Sequence, residues 1–153
     1  MSTVSEGIRS YLASIPKYVI QIGVFSEKTK RKTTYSVDIT NAELMFIHEN
    51  GSPLHHLPAR PVLKMTLQYG NSLIASTMQK GLKAYTQSGV AGLEKELNKL
   101  CIRMENYARE IIYSNDGRLA PNAPSVAARK KGNHPLFDTG QLARSITCKL
   151  VRV

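Results

Sequence analysis

Hydrophobic positions recur along this chain with two different periods, and the switches between them outline the elements. Val4, Ile8, Tyr11, Leu12 and Ile15 follow at helical spacing behind Thr3-x-x-Glu6, a capping-box pattern, until Pro16 ends the run. Residues 18–25 are rich in β-branched and aromatic types and set Val19 opposite Ile20 and Ile22, which predicts a strand covered on at least one face. A polar, basic loop follows at 26–34, then a second short strand at 34–39. Asn41 is read as the cap of a short helix through Ala42, Leu44, Met45, Phe46 and Ile47, which Gly51 stops. Pro53, Pro58 and Pro61 exclude regular structure, so 53–62 is expected to be an extended arm.

The longest periodic stretches come next. Leu63, Leu67, Ile74, Met78, Leu82 and Tyr85 form one helical stripe over 61–85. Leu93, Leu97, Leu100, Met104, Ala108 and Ile111 form another over 90–113, with Glu105 and Arg109 spaced i,i+4. Ser88-Gly89 separates them, which predicts an antiparallel helical hairpin. A Pro-, Ala- and Asn-rich passage to His134 reads as a long loop with one helical turn near 125–129, and long loops of this kind are functional or order on binding. Residues 145–153 alternate apolar and polar positions as a strand whose natural neighbour is 18–25. The expected fold class is α+β: a small, mostly antiparallel sheet of 18–25, 34–39 and 145–153 packed against two long helices, with a short N-terminal helix and long extended loops.

Size and charge narrow the picture. The 153 residues, 42% of them hydrophobic, suffice for one core, so a single domain over 1–153 is expected. The start lacks a signal-peptide pattern and no stretch approaches a bilayer span, which points to a soluble protein made in a cytoplasm. Cys101 and Cys148 lack a Cys-x-x-Cys spacing and read as buried small hydrophobes rather than a disulfide framework or zinc site. The net charge of +10 sits mainly in residues 26–34, with +3, and 115–153, with +5. Its clusters, Lys28, Lys30, Arg31 and Lys32 and then Arg129, Lys130 and Lys131, have no aromatic residues interleaved and match no DNA-reading motif. They are expected to face solvent or a protein partner, with sequence-specific nucleic-acid binding as the rival.

Candidate chemistry is sparse. His48-Glu49 lacks the second histidine of a zincin helix, and adjacent His55-His56 would point apart, so neither a metal nor another cofactor is expected. There is no nucleophile elbow, phosphate loop or evident carboxylate pair, so an enzyme is disfavoured. In the run 137–142, Asp138 at an N-cap would place Gln141 at N3, with Phe137 and Leu142 as a hydrophobic staple around Thr139-Gly140; this reads as a structural cap.

Several short motifs carry a resemblance when taken in order: Ile22-Gly-Val24, His48-Glu-Asn-Gly-Ser52, Leu57-Pro-Ala-Arg-Pro-Val62, Tyr107-Ala-Arg-Glu-Ile-Ile, Asp116-Gly, Pro121-Asn-Ala-Pro, and Pro135-Leu-Phe-Asp-Thr-Gly-Gln-Leu142. Together they resemble a tailed-bacteriophage neck and tail-completion family, collinearly from Ile15 to Ile146, with Asn50 and Val62 where aromatic residues are usual. The resemblance implies a virion morphogenesis protein, assembled in the host cytoplasm and ending in the virion neck or tail. It would be a structural head–tail joining component that forms a homo-oligomer, a hexameric ring. Its partners would be itself, the tail tube or tail terminator, and head-completion or portal-side proteins, with no membrane. A tail terminator is the neighbouring alternative.

Within that picture His48, Glu49, Gly51, Pro58, Arg60 and Pro61 are expected at a subunit interface, and the loops 26–34 and 115–137 are expected to meet partners. An arginine between two prolines presents a stiff fork to a neighbour's carboxylate, or else satisfies carbonyls of its own subunit; both readings stand at this point.

Overall fold

A two-stranded sheet and a helix folded back on itself frame the chain. The structure is a computed structural model and describes residues 2–32, 38–129 and 133–153. Helix α1 (Ser2–Ser14) leads through Pro16 into strand β1 (Tyr18–Val24). Thr3 therefore lies inside α1 rather than at its cap. Strand β2 (Ile146–Arg152) pairs antiparallel with β1, Tyr18 opposite Arg152 and Val24 opposite Ile146. The pairing of 18–25 with 145–153 is thus realised. Of the expected 34–39 strand, residues 33–37 lie outside the described residues, and Asp38 and Ile39 are irregular; among the described residues the sheet has two strands.

Helix α2 (Asn41–Asn50) starts one residue earlier than expected because Thr40 wins the cap. Thr40 Oγ1 accepts the Glu43 N–H at 3.2 Å while the Glu43 carboxylate accepts the Thr40 N–H at 2.8 Å. Capping by Asn41 would put Leu44 at N3, which cannot reciprocate. Asn41 is instead buried, and its amide donates to the Lys28 and Lys30 carbonyls at 3.3 and 3.1 Å.

Helix α3 (Val62–Ser114) breaks at Gly89, whose φ of 63° and ψ of −148° are accessible essentially to glycine alone. The chain reverses there. Gly70 lies against Met104, Gly81 against Leu93 and Gly92 against the Ala84 carbonyl, and the Tyr69 and Tyr107 rings stack at 4.1 Å. The expected antiparallel hairpin is therefore present, with glycines letting its arms approach closely. Helix α4 (Pro124–Arg129) supplies the expected helical turn in the long loop.

Helix α5 (Gln141–Ser145) corrects the cap expected at Asp138. Gly140, in a left-handed conformation, occupies the N-cap position without a side-chain bond, and Asp138 lies two residues before it. Gln141 becomes the first helical residue and cannot reach back as an N3 partner. With the cap at Gly140, Phe137 is no longer the residue before the cap, so the staple expected with Leu142 does not apply; its ring meets Tyr113 edge-on at 5.5 Å and packs against the core.

The core sits at the open end of the hairpin. Met45 of α2, Val62, Ala108, Ile111 and Ile112 of α3, Leu142 and Ala143 of α5, and Ile146 of β2 close it with Leu119 and Leu136. Each fully buried large aliphatic side chain contributes about 1.5–3 kcal/mol. Arg109 ties the second arm to the sheet: it donates to the Ala143 and Ile146 carbonyls and pairs with Glu105 at 2.6 Å. Toward its tip the hairpin loses this cover.

Candidate assembly surfaces

Residues 48–61 form an internal brace. The Glu49 carboxylate accepts the Leu63 and Lys64 N–H groups at 2.9 and 2.8 Å, serving as the cap that Pro61 cannot provide for α3. Ser52 and Leu57 exchange backbone hydrogen bonds around a 3₁₀ turn at Pro53–His55, so the first half of the expected extended arm is a tight loop. The three prolines are compatible with this because none is asked to donate across the bridge. The turn pushes Leu54, His55, His56 and Pro58 outward, Leu54 being 84% exposed.

Arg60 decides between its two readings in favour of its own subunit. The residue is 3% exposed, Nε donates to the Ala120 carbonyl and Nη2 to the Pro121 carbonyl, both at 2.7 Å. Its Nη1 stands 3.4 Å from His48 Nδ1, and a guanidinium only donates, so this contact uses Nδ1 as acceptor. Burial pushes the guanidinium below its usual value, yet it remains charged in any ordinary buffer. The fork therefore holds the 115–123 passage against α2 and is not presented to a neighbour. His48, Glu49, Gly51 and Pro61 are likewise partly covered and shape this brace, while Pro58 is exposed beside it.

The receiving passage is itself pinned. Arg118 pairs with Asp116 at 2.6 Å and lies 5.5 Å from the centre of the Tyr107 ring. Its guanidinium holds the Asp116 carboxyl down to about 2. The contribution of this pair is complete above the ordinary value of 3.8 and is lost as pH falls toward 2.

The basic segment 28–32 is fixed by its own chain. Gln141 accepts the Lys32 N–H and donates to the Lys32 carbonyl, both at 2.9 Å, and Asn41 holds Lys28 and Lys30. Its backbone thus has partners already, although the Lys28, Lys30 and Lys32 side chains remain exposed and Arg31 reaches Asn41 Oδ1 at 3.3 Å. Arg129 is exposed at the end of α4; Lys130 and Lys131 lie outside the described residues.

A hollow of about 370 Å³ brings Arg31, His48, His55, His56 and Arg60 near Asp138. Among the described residues no group of three His, Cys, Asp or Glu side chains is placed to hold a metal ion, and no helix is long and apolar enough to cross a membrane.

Two surfaces escaped the sequence reading. The first is an apolar trough of about 840 Å³ between the last turn of α1, the start of β1 and the distal half of the hairpin. Leu67, Ile74, Met78 and Leu82 wall it and are exposed, over a floor of Leu93, Leu97, Leu100 and Met104. Their periodicity marked them as core, but a two-stranded sheet is too small to cover the hairpin tip. The second is a largely basic hollow on the hairpin, lined by Lys80, Lys83, Lys99 and Arg103 with Glu96, which pairs with Lys99 at 2.6 Å. Its sequence signal is residues 62–93, which hold three lysines and no acid.

The two cysteines, distant in sequence, meet. Glu105, one helical turn beyond Cys101, accepts the Cys148 N–H at 3.0 Å, which sets the Cys148 thiol beside that of Cys101. The neighbouring Cys101 thiol and burial push the Cys148 thiol up. Mild oxidation with diamide is expected to join them within one chain, with loss of both titratable thiols and no covalent dimer on a non-reducing gel. Two thiols surviving the treatment would show the sulfurs are not apposed.

Comparison of the chain with protein-family models, with curated proteins and with solved structures finds no match in any of the three.

Proposed function

We propose that this chain is a structural protein of a phage neck or tail, a tail-completion or head–tail joining component that assembles as a ring. Two kinds of support stand behind the reading. One is the ordered set of motifs from Ile22-Gly-Val24 to Gln141-Leu142. The other, which carries the assembly half, is the uncovered apolar trough together with an α1 whose Val4 and Ile8 are 71% and 57% exposed. A groove walled by exposed apolar side chains, beside a helix with its own exposed apolar stripe, supports a surface that another protein covers. Its work would be burial of complementary surface rather than catalysis.

The basic hollow on the hairpin favours a second reading, nucleic-acid binding, through phosphate contacts by Lys80, Lys83 and Arg103, Lys99 being paired with Glu96. Duplex DNA and purified tail tubes separate the two. The assembly reading expects the chain at one end of the tubes by electron microscopy and weak DNA binding at physiological salt. Tight DNA binding that falls steeply with salt, with bare tubes, would replace it.

A further inference from the structure

We infer that the trough on the hairpin receives helix α1 of a second copy of this chain. The inference rests on the self-assembly part of the proposed function. Val4, Ile8, Tyr11 and Leu12 share one side of α1, while Glu6 and Arg9 fall outside that stripe. All four apolar side chains are exposed, and α1 meets its own body through its last turn, where Leu12 and Ile15 edge the trough and the Tyr11 ring lies 6.1 Å from Tyr85. Among the described residues, the first turns of α1 thus carry an apolar face with no cover of its own, and the trough has apolar walls with no occupant of their own.

Length and charge match the two. The nine residues of α1 before Tyr11 span about 14 Å, which fits within the trough wall of about 23 Å from Leu67 to Leu82 at the helical rise. Copies of a chain of net charge +10 repel one another, and a contact costs least where both surfaces carry no charge. Among the described residues lining the trough, Lys17 alone is charged, and the α1 stripe carries none. An acidic partner would be drawn to the basic hollow instead. Donor and acceptor are different patches, so the contact is heterologous and propagates around a ring, or closes reciprocally in a dimer.

The test uses the full chain with Cys101→Ser and Cys148→Ser, carrying Ile8→Cys or Met78→Cys, treated with a short bismaleimide. Mixing the two single-site proteins is expected to give a crosslinked pair. In the native sequence, Ile8→Glu is expected to weaken self-association more than tenfold while leaving the melting temperature of the monomer unchanged. Association should hold or strengthen as salt screens the like charges. A chain with both cysteines that crosslinks within itself, while the mixture gives no pair, would overturn the inference by placing α1 in its own trough. Rings that form without the crosslink and survive Ile8→Glu would overturn it while leaving the assembly reading intact. A chain that stays monomeric at every concentration would end both.

Discussion

Arg60→Ala is expected to destabilise the isolated chain by about 2–4 kcal/mol, because a buried side chain is truncated and the Ala120 and Pro121 carbonyls lose their donors at once. For a chain of this size that is a fall in melting temperature of about 6–12 °C. Arg60→Lys should recover little, since a single ammonium cannot reach both carbonyls as the planar fork does. Thermal melts of the monomer, followed by circular dichroism, check this. An unchanged melt with lost oligomers would return Arg60 to a subunit interface and contradict the packing described above.

Gly51→Ala should cost more, about 3–5 kcal/mol, from two sources. Gly51 has φ 71° and ψ −179°, a conformation that L residues scarcely adopt. A β-carbon there would also stand 2.7 Å from the Ala59 nitrogen and 2.8 Å from the Leu57 oxygen, and both are backbone atoms with no rotamer to yield. The helix stop at α2 and the Ser52–Leu57 turn would have to separate. Denaturant unfolding of the variant measures the loss; an unaltered midpoint would mean that the turn does not close over Gly51. Arg60 and Gly51 sit in one motif, so a double variant should lose less than the sum of the two.

These two residues show what the sequence could and could not convey. Periodicity located both strands, the hairpin and its break, because Gly89 and the two apolar stripes are local signals. The caps were less legible. Thr40 and Asn41 are both good capping residues, and only the reach of Glu43 chooses between them. Asp138 offered the pattern of a cap, but Gln141 was drawn across the chain to Lys32, a partner 109 residues away. The motif at 48–61 was legible as a unit and not as a role: a stiff arginine reads the same whether it faces a neighbour or its own 120–121 carbonyls. The trough was invisible for a different reason. A stripe of Leu67, Ile74, Met78 and Leu82 announces that something covers it, and cannot say whether that cover belongs to the same chain.

The proposed self-assembly runs through the apolar surface left uncovered among the described residues. The most direct test is the mass of the purified protein in solution over a range of concentrations, with negative-stain images of the same samples, alone and with tail tubes. Closed rings of one size, six copies in line with the tail-completion reading, are the predicted result. A monomer at every concentration, unaltered by tail tubes, would show that the chain does not assemble with itself.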